Sequence, residues 1–444
     1  MTLGICFVIG VCLLLQAVYS VVKYRLTVQT ADFSYAMHNP TSNGCSNRQE
    51  FGFFFVLVPV LHEEKTLELF LMGMLSQRYP KDRFEVWIIT TEKEYLHTNR
   101  PNTIDLINDM LQEARFDSIN LNVIHYPDDR GVKSDQLNFA FREIGSLYGS
   151  NFVSAANFLL LDADSIPDVE LISRFNSVLE ENINVYQQPL LWFKNIDQLK
   201  SPIMQSFAFQ QTFFSLSYEM PMFSDRVFPW RLRYCVGHGL CVKGSFLNFI
   251  HGFPLVIEDV RIGRMSSFLG FKIKIVPGFG NVETAKSFGV YVKQCSVWFF
   301  GCGLFVYDYV KCLDLRGSTM PRPMDLVLLG YGIFKALRWL NKGLLHLLLI
   351  IGAIAYSSVG LGVLALVALI MNSCIPVVIV ARDFKKMHAL NDQLGQFAQS
   401  RIIRNAVIYA PFLYVINFVG VYYGLMKAIR YIFSGRIELP KTER

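Results

Sequence analysis

An uncharged stretch near the carboxyl end of the sequence limits the possible folds most strongly. Residues 344–380 contain one histidine and otherwise no ionisable side chain apart from Tyr356 and Cys374. These 37 residues are too many for one ordinary membrane span, so we expect two short helices that turn near Ser357 and Ser358. Basic residues on both sides of the stretch favour a transmembrane hairpin with both ends in the cytosol.

A second uncharged stretch lies at the amino end of the chain. Residues 3–22 could cross a bilayer, and Lys23 and Arg25 follow immediately. A secretory signal peptide usually carries its positive charge before the apolar run rather than after it. We therefore interpret residues 1–25 as an uncleaved transmembrane anchor whose carboxyl end faces the cytosol.

Two further apolar segments are interrupted by charged or helix-breaking residues. Residues 320–341 mix apolar residues with Lys335 and Arg338, which suits an amphipathic helix at the membrane interface, with a plain cytosolic helix as the alternative. Residues 405–426 form another transmembrane segment, interrupted by a proline and a glycine, and the side of the carboxyl terminus stays open. The pattern predicts a multi-pass protein, and we expect it in the cell membrane.

The composition agrees with a membrane protein and argues against a nucleic-acid partner. Of the 444 residues, 52% are hydrophobic and only 18% are charged, which is too apolar for a soluble chain of this length. The net charge is +6, but the basic residues are scattered rather than gathered in a dense run. Flanking charge beside membrane helices explains them, so we expect no nucleic-acid binding.

The block between the apolar segments, residues 51–310, has the pattern of one α/β domain. Apolar, β-branched runs alternate with segments of helical periodicity. This alternation predicts a mostly parallel sheet, and such sheets bind ligands beside the carboxyl ends of their strands. The predicted strands are 51–60, 84–92, 121–126 and 157–164, and the predicted helices are 66–80, 102–114 and 133–148.

Two aspartates directly follow the fourth predicted strand. An apolar run leads into Asp162 and Asp164. Alternate residues of an extended segment point to the same face, so both carboxylates can reach one object. Hard oxygen ligands suit Mg²⁺ or Mn²⁺, and Mg²⁺ is usually held by one or two carboxylates together with substrate phosphates. Surface turns also carry this triplet, but the preceding apolar run favours a functional site.

Two later clusters combine polar and apolar residues. Glu258 and Asp259 follow an apolar pair, and a carboxylate there could accept a proton from an attacking hydroxyl. The alternative is the acidic first turn of a helix, which the helix dipole favours. Gln294 could hydrogen-bond to phosphate or hydroxyl groups, and Trp298 could stack on a sugar face. An aromatic segment at the membrane interface is the alternative for these two residues.

Taken in order, these motifs resemble those of the membrane-embedded family 2 glycosyltransferases, the group that includes cellulose, chitin and hyaluronan synthases. The likeness covers residues 51–310, and the layout of the flanking helices extends it over nearly the whole chain. It rests on PVLHE (59–63), GMLSQRYP (73–80), Glu92 after the second strand, GVKSDQLNFA (131–140), Asp162-Ala163-Asp164, VGHGLCVKGSF (236–246), IEDVRIG (257–263), and Gln294 with Trp298.

Two positions depart from the family pattern. The first motif has asparagine in the family where this chain has His62, and the arginine of the Gln-x-x-Arg-Trp motif is Val297 here. In the family that arginine helps to hold the donor pyrophosphate. Either another cation, Lys293 or Lys133, replaces it, or this branch handles its donor differently.

The resemblance implies a fold, a reaction and a role for each matched residue. The fold would be the nucleotide-sugar-binding GT-A type, and the enzyme would transfer a sugar, with inversion, from a nucleotide sugar that the family resemblance suggests is UDP-linked. The cofactor would be Mg²⁺ or Mn²⁺, held by Asp164 and Asp162, and Asp259 would act as the base beside Glu258. The donor would contact Glu63, Glu92, Lys133, Asp162, Asp164 and Gln294, and the acceptor would contact His238 and Trp298.

The sequence leaves the acceptor open. A growing polysaccharide and a lipid acceptor both fit, and the second would mean a single, non-processive addition. A polyprenyl-phosphate sugar transferase also carries an aspartate pair, but it generally lacks the later acidic pair and the glutamine–tryptophan segment. A non-catalytic scaffold that binds nucleotide sugars is supported only by His62 and Val297. We expect the catalytic domain in the cytosol, where the donor is, beside the membrane lipids.

Overall fold

A seven-stranded sheet organises the middle of the chain. The structure is a computed structural model that describes residues 2–29, 50–96, 103–111, 116, 118–223, 231–388 and 400–434. The strands are β1 (Phe54–Pro59), β2 (Phe84–Thr91), β3 (Asn120–Tyr126), β4 (Asn157–Leu160), β5 (Val185–Gln187), β6 (Leu190–Leu191), β7 (Leu240–Lys243), β8 (Ile273–Ile275) and β9 (Gly280–Asn281). Across the large sheet the order is β3-β2-β1-β4-β7-β5-β8, and β6 pairs with β9 separately.

The first four strands are parallel to one another, which confirms the predicted α/β fold with a mostly parallel sheet. β1 pairs with β2 and with β4, and β2 pairs with β3. β7 runs antiparallel to β4 and β5, whereas β5 and β8 are parallel. The carboxyl ends of β1 to β4 therefore meet at one edge of the sheet, and the polar motifs follow there.

Both faces of the sheet are buried at β1, which explains why this strand is a continuous apolar run. Phe55 and Leu57 of β1 belong to the core that includes side chains of helix Lys133–Tyr148, whereas Phe54 and Val56 belong to the core on the opposite face. All four side chains are fully buried. Slipping a strand by one residue would exchange the two sets, so packing on both faces fixes the register of the strand ends.

The helices of this domain agree with the predicted alternation but differ at their ends. Helix 133–148 has its predicted bounds, and the helix predicted at 66–80 ends at Leu75, where the amine of Lys81 donates to the carbonyl oxygen at 2.6 Å. The helices are Leu67–Leu75, Thr103–Leu111, Lys133–Tyr148, Ser150–Ala155, Leu171–Val178, Pro202–Phe214, Gly244–Phe249 and Glu258–Leu269.

Four helical segments are long and apolar enough to cross a membrane. They are Leu3–Val28, Pro323–Ala355, Val359–Asp383 and Ser400–Tyr431. A bent pair, Phe288–Gly303 and Phe305–Leu315, meets at 41° and would make a fifth. These counts refer to the ranges of the chain given above, and they agree with helices at both ends that can span a bilayer.

The helix bounds on the carboxyl side differ from the segments read from the sequence. The segments 320–341 and 344–380 are not separate, because one helix runs from Pro323 to Ala355 and the next begins at Val359. The 33 residues of the first helix extend about 50 Å, well beyond the ~30 Å core of a bilayer. Segment 405–426 is divided at Asn417 between helices Ser400–Ile416 and Phe418–Ser434.

Close helix packing joins the α/β domain to the membrane helices. Gly424 lies against Ser296 of helix Phe288–Gly303, where an added methyl group would come within 2.5 Å of the serine carbonyl oxygen. Small residues allow membrane helices to approach in this way. The amide of Gln210 also donates to the carbonyl oxygen of Ala410 at 3.2 Å, so helix Pro202–Phe214 is bonded to a carboxyl-terminal helix.

Replacing Gly263 with alanine should destabilise the protein, because helix Glu258–Leu269 touches the backbone of the preceding segment there. An added methyl group would lie 2.5 Å from the Cα and carbonyl carbon of Tyr234. Overpacking of this kind typically costs about 1–3 kcal/mol. Thermal unfolding in detergent should show a lower midpoint for Gly263→Ala. The matched control is Gly145→Ala, inside another helix with open space around it, which should leave the midpoint unchanged or raise it.

Candidate active site

A cavity of about 2020 Å³ opens at the carboxyl ends of the parallel strands. It is lined by the ends of β1 and β2, by the start of helix Lys133–Tyr148, by the aspartate turn after β4 and by the start of helix Glu258–Leu269. It continues between the membrane helices, where residues of Leu3–Val28 and Pro323–Ala355 line it. Small-molecule sites usually measure about 300–1,000 Å³, so this cavity has room for two substrates.

Lys133 lies between carboxylates from two distant parts of the chain. Its ammonium nitrogen is 2.9 Å from Asp162 Oδ1 and 3.8 Å from Glu258 Oε1. Burial alone would lower the pKa of Lys133, but the charges of Asp162, Glu258 and Asp259 together raise it above its ordinary value. The lysine is therefore a permanent positive charge that holds these acidic groups around one point.

Helix Lys133–Tyr148 also holds the loop that precedes the second acidic motif. The side-chain amide of Asn138 accepts from the backbone N–H of Phe253 at 2.7 Å and donates to its carbonyl oxygen at 2.8 Å. The buried hydroxyl of Ser134 accepts from the N–H of Val256 at 2.9 Å. These bonds fix the loop relative to Lys133, because each satisfies a backbone group that would otherwise be buried without a partner.

The backbone is strained immediately before the acidic motif. Val256 and Ile257 have φ values of +64° and +55°. β-branched side chains rarely adopt this left-handed conformation, which costs on the order of 1–3 kcal/mol per residue. The strained turn starts helix Glu258–Leu269 with its two carboxylates towards Lys133, and the bonds from the neighbouring helix keep it in place.

Asp259 has the properties of a proton acceptor at neutral pH. Burial and the neighbouring charge of Glu258 raise its pKa to about 7, although the N–H of Val260 and the charge of Lys133 act in the opposite direction. A methyl group at Gly237 would lie 3.3 Å from Asp259 Oδ2, so this glycine keeps the space above the carboxylate open. A general base works best when its pKa lies near the working pH.

Asp162 and Asp164 both line the cavity, and Ala163 between them is buried. The strand ends earlier than predicted, at Leu160, because the N–H and hydroxyl of Ser165 both donate to the carbonyl oxygen of Asp162 and form a turn. The two carboxylates offer the hard oxygen donors that Mg²⁺ or Mn²⁺ require, so the residues present fit such an ion.

A second acidic group near this edge has a structural role. His62, Glu64 and Glu94 each bring one possible metal-ligand atom within 4.8 Å of the others. However, the Glu94 carboxylate accepts from the backbone N–H groups of His62 at 3.0 Å and Thr103 at 2.7 Å. It therefore anchors the turn that follows β1, in which His62 has a φ of +56°.

The other residues selected from the sequence divide into two sets. Glu63, His238 and Trp298 line the cavity with the acidic groups, and Nδ1 of His238 accepts from the N–H of Asp162 at 3.4 Å. Glu92 and Gln294 do not line it. Glu92 instead bonds Nε2 of the His125 ring at 2.7 Å, and Gln294 is only 3% exposed, with no hydrogen bond to its side-chain amide.

Sequence reasoning missed the residues that position the site rather than line it. Ser134 and Asn138 lie in a predicted helix, and nothing in their spacing shows that they hold a loop more than 110 residues away. Lys194, whose amine donates to the carbonyl oxygen of Asp164 and lies 3.6 Å from Glu283, belongs to no motif.

Val297 and Lys293 both line the cavity, so a lysine is available one turn from the missing arginine.

The profile of the family described as Glycosyltransferase like family 2 matches residues 52–301, which is more than half of the chain. The chain belongs to this family. It is therefore a glycosyltransferase, and the sheet and cavity described above are its GT-A domain. A search of curated proteins found no match.

The fold of this family 2 glycosyltransferase is shared with one solved structure of low sequence identity, and others are more distantly similar. The mannosyltransferase PcManGT from Pyrobaculum calidifontis, in complex with GDP-Man and Mn²⁺, has a TM-score of 0.52 and 12% identity over 96% of this chain and 99% of that chain. A fragment of S. aureus TarS, residues 1-349, has a TM-score of 0.41 and 13% identity over 88% of this chain and 98% of that chain. The fragment with UDP-GlcNAc has the same score and identity, over 88% and 95%.

Replacing Asn138 with alanine should loosen the loop before the acidic motif. The change removes both hydrogen bonds to the buried backbone of Phe253, which should cost about 1–3 kcal/mol. Hydrogen exchange followed by mass spectrometry should show faster exchange in peptides covering 253–260. Asn248→Ala, which removes an exposed bond to Ser154, is the control and should leave those peptides unchanged. Equal protection in both variants would contradict the role given to Asn138.

Proposed function

We propose that this glycosyltransferase moves a sugar, with inversion, from a nucleotide sugar to a growing polysaccharide or a lipid-linked acceptor at the membrane. The observation that carries the proposal is the arrangement around Lys133, which gathers Asp162, Glu258 and the neighbouring Asp259 in one cavity. An acidic group with a pKa near neutrality can accept the proton of the attacking hydroxyl. A cation beside it can stabilise the negative charge of the leaving group.

In this reaction Asp259 is the general base. As the acceptor oxygen attacks the anomeric carbon, its proton passes to the Asp259 carboxylate. The bond between the anomeric carbon and the donor phosphate oxygen breaks, and the nucleotide leaves with the electron pair. A single displacement from the opposite face inverts the configuration. Glu258 supports the base, because its negative charge raises the pKa of Asp259.

Asp164 and Asp162 would hold the divalent ion, Mg²⁺ or Mn²⁺. Such an ion stabilises the negative charge that develops on a leaving diphosphate. The GT-A fold and a structural neighbour solved with Mn²⁺ support this assignment. Lys133 remains beside the pair and adds a fixed positive charge of this chain to the same place.

The remaining donor and acceptor assignments follow the family pattern. Glu63, which lines the cavity, would contact the donor, for which a UDP-sugar is the default. Lys293 would supply the cation that Val297 lacks. The partly buried Trp298, whose ring centre lies 5.8 Å from that of Trp192, would form the aromatic wall for the acceptor together with His238.

The layout supports a multi-pass protein of the cell membrane with its catalytic domain in the cytosol. The donor is water-soluble, and the cavity passes from the sheet edge to the membrane helices. A second candidate function is the transfer of a single sugar to a lipid-linked acceptor. It is favoured because several cations line the part of the cavity between the apolar helices, where an anionic lipid group could bind.

Incubation of the purified protein with single nucleotide sugars and Mn²⁺ in lipid nanodiscs would test the reaction. We expect nucleotide release with one class of donor, and the product mass then separates the acceptors. A ladder means a polysaccharide, whereas one mass shift on a lipid means single transfer. Tight binding without turnover of any donor would overturn the proposal in favour of a nucleotide-sugar-binding scaffold.

Asp259→Asn should abolish transfer while leaving the donor bound. Loss of a general base typically lowers the rate about 10²–10⁴-fold. Asp164→Asn should instead weaken the Mn²⁺-dependent binding of the nucleotide. Both are measured by steady-state rates and by calorimetry with UDP, and Asp82→Asn, a carboxylate on the surface, is the matched control. A full rate for Asp259→Asn would remove it from the reaction.

Transfer should also depend on pH through Asp259. The base works only when ionised, and its pKa is raised to about 7, so the rate should fall as the pH drops below neutrality. Glu258→Gln removes a negative charge that raises this pKa, and the acid limb of the residual activity should therefore move to lower pH. Glu170→Gln, which removes the ion-pair partner of the exposed Arg78 outside the cavity, is the control. An acid limb at the same pH in Glu258→Gln would contradict this coupling.

A further inference from the structure

Four cations meet where the cavity enters the membrane helices. Lys23 comes from helix Leu3–Val28, and Lys335, Arg338 and Lys342 come from one face of helix Pro323–Ala355. Their spacing of three, four and seven residues puts the last three side chains on the same side of that helix. We call these four residues the cation cluster.

The cation cluster faces inward, and the opposite side of its helix is apolar. Ile333, Phe334 and Leu337 are 49%, 61% and 53% exposed, whereas Lys335 and Arg338 of the same helix line the cavity. This is the reverse of a soluble amphipathic helix, whose charges point to water. Charged residues within membrane helices usually face a bundle interior or a cavity and mark the path of a substrate.

The protein itself does not neutralise this charge. Lys23 and Lys335 lie over the same ring, with their nitrogens 4.2 Å and 4.6 Å from the centre of Tyr218, and Lys342 lies 4.4 Å from the ring centre of Tyr414. Within the described ranges, no member of the cation cluster forms a salt bridge with a carboxylate. Aromatic rings offset only part of the repulsion between neighbouring cations, so an anion would be strongly favoured here.

The nearby carboxyl group of Glu219 is committed to other partners. Its two oxygens accept from the hydroxyls of Ser215 at 2.7 Å and Tyr234 at 2.9 Å. Burial raises its pKa despite these bonds. With this carboxyl group bonded elsewhere, an anionic ligand would complement the cation cluster.

A short stretch of backbone links the cation cluster to the catalytic carboxylate. The Lys335 nitrogen lies 3.9 Å from the ring centre of Tyr234, and Asp259 lies beside Gly237. Tyr234 and Gly237 are three residues apart, so their Cα atoms are separated by at most about 11 Å. A molecule with its anionic group on the cation cluster could present a hydroxyl of the adjoining sugar to Asp259.

We propose that the cation cluster binds the phosphate or diphosphate group of a lipid-anchored acceptor, and that the sugar on this phosphate receives the transferred residue. This inference rests on the proposed function and names its acceptor class. The lipid source is favoured because the cluster lies among helices that can span a membrane, where apolar side chains such as Met371 and Pro376 also line the cavity.

The test measures ligand binding without any donor. The full-length protein in phosphatidylcholine nanodiscs is titrated with a long-chain isoprenoid phosphate, and thermal unfolding and Kd are recorded. Parallel titrations use the matching isoprenoid alcohol, inorganic phosphate and phosphatidylglycerol. We expect stabilisation by the isoprenoid phosphate alone. An equal effect of the alcohol, of free phosphate or of phosphatidylglycerol would overturn the proposal, since each indicates a different kind of site.

Variants assign the binding to the cation cluster. The double variant Lys335→Gln with Arg338→Gln should bind the isoprenoid phosphate about tenfold or more weakly, because charge-assisted contacts are lost. Lys335→Arg keeps the charge and should retain binding. The matched control is Lys427→Gln, since Lys427 also lies over a tyrosine ring of a membrane helix but does not line the cavity. Unchanged affinity in the double variant would overturn the proposal.

UDP binding separates failure of this inference from failure of the proposed function. The double variant should bind UDP with Mn²⁺ as the native protein does, which also shows that it is folded. If it loses UDP and the lipid together, the cluster belongs to the donor site and the inference is wrong. If the native protein turns over a donor but does not bind isoprenoid phosphate, the proposed function is supported and the lipid-anchored phosphate acceptor is ruled out.

Discussion

The interaction on which the site depends is the contact of Lys133 with two carboxylates. Asp162 follows the central strand and Glu258 begins a helix almost one hundred residues later, yet both lie within 4 Å of the same ammonium group. Without that charge, three carboxylates in a largely buried cavity would repel one another and take up protons. With it, Asp162 forms an ion pair at 2.9 Å, while Asp259 has a pKa of about 7. In the proposed reaction, Lys133 therefore supports both the departure of the nucleotide and the base that activates the acceptor.

The rest of the domain keeps this arrangement rigid. Packing on both faces of the sheet fixes the ends of its strands. Hydrogen bonds to Ser134 and Asn138 then hold the loop before Glu258 in place. The strained conformations of Val256 and Ile257 persist because these bonds leave the loop little freedom. A site prepared in this way needs little reorganisation when the substrates bind, which is where much of the catalytic advantage of an enzyme arises.

The helices that can span a membrane also line part of the cavity. The cavity that begins among the acidic groups continues between helices Leu3–Val28 and Pro323–Ala355, and its lining changes from acidic to basic along the way. In the proposed reaction, a soluble donor and a membrane-bound acceptor would therefore approach Asp259 from opposite ends of the cavity. This arrangement gives a physical reason for a glycosyltransferase domain to be built onto apolar helices.

The sequence by itself determined the fold class and the apolar helices at both ends, because alternating apolar periodicity and runs of uncharged residues are local properties. It correctly predicted the mostly parallel sheet and the helix Lys133–Tyr148. Only the tertiary structure decided which side chains meet. The burial of Gln294, the pairing of Glu92 with His125, the bonds from Asn138 to Phe253 and the cation cluster all depend on contacts between distant segments. Spacing along a chain does not encode such contacts, since they follow from how the helices and the sheet pack.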